Sequence, residues 1–239
     1  MKKVVCESYE DVCSLAADIF SMQLKDKPES VLGLATGSTP IGLYDELVKR
    51  YKSGEIDFSQ ARSFNLDEYS PIDPTHPQSY CYYMREHFID RIHIGEFHIP
   101  DGDAVDVDAE CTRYNSELAD AGGIDLMLLG IGVNGHIGFN EPADTYSMNT
   151  SFVSLSESSI ASNSRFFSSD EKQPTTAISM GIGQIFRSKK IVLLITGEAK
   201  ASIASRLFED IIYTDVPASL LLLHPDITVI LDKAASGGK

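Results

Sequence analysis

The sequence predicts an α/β domain of three layers, with a mostly parallel sheet between helices. Two patterns carry this. Short aliphatic or β-branched runs alternate along the whole chain with longer stretches of helical period. The runs also lack the polar alternation of a sheet with one wet face, as a parallel sheet buried on both faces requires. A chain of 239 residues, 43% apolar and 23% charged, is long enough for a single large domain with a sizeable core.

The expected strands are Val31–Ala35, Ser63–Leu66, Ile124–Ile131, Ile191–Thr196 and Ile227–Leu231. Between them, Val12, Leu15, Ala16, Ile19 and Phe20 repeat at helical spacing, and similar stripes over 41–52, 79–92, 108–121 and 199–208 predict helices with one face on the sheet. Residues 144–170 are rich in Ser, Asn and Thr and poor in large aliphatics, which predicts a weakly anchored excursion or lid. The tail 234–239, ending Ser-Gly-Gly-Lys, reads as disordered. Strand–helix alternation makes right-handed crossovers, and ligands of open α/β sheets sit at the carboxyl ends of strands. Residues that directly follow strands are therefore the candidates for chemistry.

Composition excludes several classes of function. The formal charge of −15 repels nucleic acid and anionic membranes, and no local basic patch offsets it. The longest apolar runs fall far short of the ~20 residues that span a bilayer, and the N-terminus carries no basic-then-apolar leader, so a cytoplasmic protein is expected. Cys6, Cys13, Cys81 and Cys111 have no CxxC spacing, which favours free thiols that fill space over disulfides or a zinc site.

Four segments follow strands and concentrate polar chemistry. In Leu34-Ala-Thr-Gly-Ser-Thr-Pro40, Thr39 reads as an N-cap and Pro40 as the first helical residue. The segment is either an ordinary βα turn or an anion cradle. As a cradle, Gly37 admits a phosphate to the backbone, Thr36, Ser38 and Thr39 supply hydroxyls, and the helix start supplies about half a positive charge. In Phe64-Asn-Leu-Asp-Glu-Tyr69, Asp67 and Glu68 end a buried strand, so Asp67 is a partly desolvated proton acceptor or a turn cap. In Gly130-Ile-Gly-Val-Asn-Gly-His-Ile-Gly-Phe-Asn-Glu-Pro142, three glycines let a loop fold back and bring His136 to Glu141. Finally, Arg165 in Ser-Asn-Ser-Arg-Phe-Phe and Lys200 after Thr-Gly-Glu-Ala offer cations to an anionic ligand, or else solvated surface charge.

Taken in order, these motifs closely resemble the glucosamine-6-phosphate deaminase (isomerase) family, over nearly the whole chain. The resemblance implies a single Rossmann-like domain over 1–239 with a small lid, no metal and no organic cofactor. It implies conversion of glucosamine 6-phosphate, a small sugar phosphate, to fructose 6-phosphate and ammonia. Asp67 would move a proton between C2 and C1, His136 would open the sugar ring, and Glu141 would orient and tune His136. Asn134 stands where some relatives carry Asp, so it would hold geometry without adding charge. The phosphate would lie against 36–39 with Arg165 and Lys200.

Relatives activated by N-acetylglucosamine 6-phosphate carry basic residues early in the stretch after Asn-Glu-Pro, whereas 143–164 here contains no Lys or Arg. This predicts an unregulated enzyme, a monomer or small homo-oligomer. Two rival readings are a 6-phosphogluconolactonase-type lactone hydrolase and a non-catalytic sugar-phosphate sensor. Phe139-Asn-Glu-Pro142 separates the chain from the first, which has apolar residues after its histidine. The lack of a basic arm separates it from the second.

Overall fold

The computed structural model describes residues 1–164, 167 and 173–238. Its elements run β1 (Lys2–Cys6), α1 (Tyr9–Asp26), β2 (Val31–Leu34), α2 (Ile41–Lys52), β3 (Phe58–Asn65), β4 (Asp67–Tyr69), α3 (Tyr80–His87), β5 (Ile94–His98) and α4 (Val107–Asp120). They continue with β6 (Leu126–Gly130), β7 (Ser151–Ser154), α5 (Glu157–Ser164), β8 (Thr176–Ser179), α6 (Ile182–Phe186), β9 (Lys190–Ile195), α7 (Ala201–Leu207) and β10 (Ile227–Asp232). The main sheet has seven strands in the order β1-β10-β9-β6-β2-β3-β5, and every pairing is parallel. Its interior strand β2 is buried throughout, which is why that run reads as unbroken aliphatics. No helix among the described residues is long and apolar enough to cross a membrane. The four cysteines are free thiols, all buried.

Strand order reverses between β2 and β6: the chain passes from β2 outward to β3 and β5, then returns to add β6, β9 and β10 on the other side. The loops leaving neighbouring strands at such a point diverge and open a crevice. Here those loops are 35–40 and 131–142.

The sequence reading did not anticipate the second sheet, β4-β8-β7, which is antiparallel. It puts Asp67 opposite Ser179 and fixes the chain that leaves β3. Part of the expected lid thus enters a sheet, and its start is tied down by Asn115, whose amide donates to the carbonyl of Thr150 at 3.2 Å. The tail also differs from expectation. Asp232 accepts the N–H of Ala235 at 2.7 Å and Ala235 is fully buried, so residues 234–238 form a closed turn. Helix α3 ends at His87, short of the predicted 92, and a single 3-10 turn, Ile89–Arg91, completes the stretch.

Candidate active site

A cavity of about 430 Å³ lies at the switch point, lined by the 35–39 loop, Leu66, Asp67, Tyr80, residues 130–134, His136, Gly138, Phe139, Ser159, Ala199 and Lys200. Of the ten residues singled out from the sequence, Thr36, Gly37, Ser38, Thr39, Asp67, Asn134, His136 and Lys200 line it directly. Glu141 stands behind His136. Arg165 lies outside the described residues, as do 166 and 168–170 of the expected lid.

The loop after β6 owes its path to its glycines. A Cβ on Gly132 would lie 2.3–2.5 Å from three atoms of the His136 imidazole, so only glycine lets the ring pack flat over the strand end. Gly138 adopts φ +55° and approaches Asp67 and Ser179, where a Cβ would meet side-chain oxygens at 3.3 Å. The loop is closed by the Gly132 N–H on the carbonyl of His136 (2.9 Å) and by Asn140, whose amide donates to the carbonyls of Ile137 and Met180 (both 2.9 Å). Ser179 accepts the N–H of Phe139 at 3.1 Å. The small sheet thereby holds Asp67 and the glycine loop to one another.

Within this loop Glu141 is the hub. Its Oε2 lies 3.3 Å from His136 Nδ1 and accepts from the Asn134 amide at 2.7 Å, and Ser159 of α5 donates to Oε1. Nδ1 of His136 is buried, and among the described residues it makes no hydrogen bond, so Glu141 is its polar neighbour by proximity. Burial would raise the Glu141 carboxyl, but His136, Ser159 and Asn134 outweigh it and hold the group at about 2. Asn134 also accepts the N–H of His136 at 3.2 Å. Its amide does here what a carboxylate could not, donating to Glu141 rather than repelling it.

Asp67 is the opposite case. It is 6% exposed, and no side-chain or backbone donor among the described residues reaches its carboxyl. Burial, with the neighbouring Glu68 charge adding to it, pushes Asp67 up to about 8. Glu68 faces away from the cavity and receives the amides of Tyr69, Tyr80 and Cys81 at 2.8–2.9 Å, fastening the start of α3. Burial still lifts it to about 7 against those three amides. The two adjacent carboxyls are thus separated by role: Glu68 anchors a helix and Asp67 looks into the cavity.

One sequence expectation is corrected here and one alternative removed. Thr39 is not the N-cap of α2: the helix starts at Ile41 behind Pro40 without a side-chain cap, because Tyr9 reaches in from α1 and accepts the N–H of Gly42 at 2.8 Å. For Lys200 it is the alternative of a solvated surface charge that fails: its Nζ donates to the carbonyl of Ile131 at 2.7 Å and burial lowers its pKa. The reading from sequence missed Tyr80 and Ser159. Tyr80 floors the cavity, stacked on Phe139 at 6.0 Å between ring centroids and tilted at 45° against Tyr69 at 4.8 Å. The serine-rich composition of 144–170 gave no means of choosing Ser159 among its neighbours.

The sequence profile of the family described as glucosamine-6-phosphate isomerases/6-phosphogluconolactonase matches residues 7–230. A glucosamine-6-phosphate deaminase from Thermoanaerobacter pseudethanolicus is 50% identical over 238 residues, covering 99% of this chain and 94% of that protein. One from Halothermothrix orenii is 49% identical, covering 99% of both. Among solved structures, that of a monomeric glucosamine-6-phosphate deaminase superposes over the full length of both chains with a TM-score of 0.95 and 42% identity. The 6-phosphogluconolactonase of Trypanosoma brucei shares the fold alone, with a TM-score of 0.78 at 18% identity. With its motifs, its strand-end cavity and its full-length relatives in agreement, this chain belongs to the glucosamine-6-phosphate isomerase/6-phosphogluconolactonase family.

Proposed function

We propose that this enzyme is a glucosamine-6-phosphate deaminase, which isomerises its substrate and releases ammonia to leave fructose 6-phosphate. The observation that carries the reading is one cavity holding two unlike proton-handling groups: a buried Asp67, unpaired among the described residues, and a His136 backed by the ionised Glu141. The reaction is a sequence of proton transfers, and such a pair supplies it. His136 takes and returns the proton of the ring oxygen as the pyranose opens, with Glu141 stabilising the imidazolium that forms. Asp67 then carries a proton between C2 and C1 through an enediol-type (enolamine) intermediate, which leaves an imine at C2; water adds to that carbon and ammonia departs, giving the C2 ketone. The high pKa of Asp67 makes it a stronger base than an exposed carboxylate and lets it return the proton near neutral pH.

The substrate phosphate lies against Thr36, Gly37, Ser38 and Thr39, with Lys200 and Arg165 completing its neutralisation. Helix α5 acts as the lid, a role supported by the bond from Ser159 to Glu141, which links that helix to the proton machinery. The enzyme works in the cytoplasm as a monomer or small oligomer. With no Lys or Arg in 143–164 it needs no N-acetylglucosamine 6-phosphate, and a sigmoidal rate curve made hyperbolic by that compound would contradict this. The activity is tested by incubating the protein with glucosamine 6-phosphate and following ammonia and fructose 6-phosphate together. Equal release of both is expected; binding without release of either would replace the enzyme with a sensor.

A further inference from the structure

Three tyrosine hydroxyls, from three different helices, donate to alternate carbonyls of the 35–39 loop. Tyr44 of α2 reaches the carbonyl of Ala35 at 2.6 Å, Tyr83 of α3 reaches that of Gly37 at 2.6 Å, and Tyr9 of α1 reaches that of Thr39 at 2.9 Å. We infer that Tyr83 and Tyr9 are positioning residues for phosphate binding, which hold the loop so that its amides face the cavity. This rests on the proposed sugar-phosphate substrate and on the 36–39 loop as its phosphate site.

The reason is peptide geometry. In a planar trans peptide the C=O of one residue and the N–H of the next point in opposite directions. Pinning the carbonyl of Ala35 therefore turns the Thr36 N–H the other way, and pinning that of Gly37 does the same for Ser38. Gly37 and Ser38 separate the main cavity from a second one of about 260 Å³, and Tyr83 stands on the side of the second. Its bond draws the Gly37 carbonyl toward the second cavity and leaves the Ser38 N–H toward the first. Among the described residues the amides of Gly37, Ser38 and Thr39 have no acceptor. Gly37 adopts a positive φ, 97°, which glycine takes up freely and other residues rarely do. Tyr9 works differently: the residue after Thr39 is Pro40, which has no N–H to orient. Its hydroxyl instead bridges the carbonyl of Thr39 and the N–H of Gly42, setting where α2 starts. Tyr44 is fully buried and serves the core as well.

The three ties therefore rank. Tyr83→Phe keeps the ring and removes the tie that aims an amide, so the dissociation constant of inorganic phosphate, measured by calorimetry, should rise about fivefold, as the net worth of one hydrogen bond implies. KM for glucosamine 6-phosphate should rise by the same factor while kcat stays within about twofold, since the tie acts on binding in ground and transition states alike. Tyr9→Phe should show the same split with a smaller rise, and carries the test if Tyr83→Phe does not fold. Tyr82→Phe, exposed on the same helix and away from the loop, is the baseline. An unchanged phosphate dissociation constant in Tyr83→Phe, a loss confined to kcat, or a wild-type protein that does not bind phosphate would each overturn the inference. Phosphate binding that responds to these variants in a protein releasing no ammonia would instead overturn the proposed activity and leave the tyrosine ties standing.

Discussion

Two carboxylates serve one cavity from opposite sides of the switch point, Asp67 lining it and Glu141 standing behind His136, and their surroundings drive them apart. Glu141, on the loop after β6, is wrapped by His136, Asn134 and Ser159 and held at about 2; Asp67, just past β3, is buried without a donor among the described residues and pushed to about 8. Both are removed from water, so burial alone does not decide their state. The difference is whether the fold supplies hydrogen-bond donors to the charge. One side of the site therefore keeps a permanent negative charge that steadies an imidazolium, and the other keeps a group that can hold or release a proton near neutral pH.

Replacing Asp67 attacks this contrast most severely. Asp67→Asn should lower turnover about 10³-fold and abolish exchange of the C2 hydrogen with solvent, leaving phosphate affinity intact. The same variant should be more stable than the wild type at high pH. The sign follows from linkage: a carboxyl raised from 3.8 to about 8 keeps its proton in the native state where the unfolded chain has lost it, so wild-type stability falls as pH rises between those values. Thermal unfolding of the two proteins at pH 5 and pH 9 checks it, and a gap that does not widen at pH 9 would count against a raised Asp67.

On the other side of the cavity, His136→Gln should reduce turnover about 10²-fold while an open-chain substrate analogue binds almost normally. Equal losses for cyclic and open ligands would remove the ring-opening role. Glu141→Gln should cost about tenfold, the scale of one charge-assisted hydrogen bond. Its stability change runs opposite to that of Asp67: a carboxyl held at about 2 stabilises the fold above its unfolded pKa, and that contribution is lost as pH falls through about 2. The smallest effect is expected from Glu68→Gln. Removing that charge should move the rise of kcat/KM with pH from about 8 to lower pH, and an unmoved limb would show that burial alone sets Asp67.

Much of this contrast is legible in the sequence, and the illegible part has a common cause. Strands β2, β6, β9 and β10 are continuous aliphatic runs because both their faces are covered, and the motifs follow strand ends because the open sheet puts its crevice there. The edge strands β1 and β5 escaped notice since they are half exposed and mix polar with apolar residues. The small sheet escaped because its strands are only 3 and 4 residues long. In the site, His136 and Glu141 share one loop and their partnership could be read from five residues of spacing. Tyr83 and Gly37 are 46 positions apart, and Ser159 and Glu141 are 18 apart, with no local pattern joining either pair. The unequal fates of Asp67 and Glu68 were equally hidden, since they depend on where the start of α3 is docked.

The opposed protonation states can be measured without turnover. In protein carrying isotopically labelled side-chain carboxyls of Asp and Glu, NMR titration should show one carboxyl with a midpoint near 8 that disappears in Asp67→Asn, and one near 2 that disappears in Glu141→Gln. An Asp67 signal that titrates with the exposed carboxylates, close to 3.8, would contradict the account.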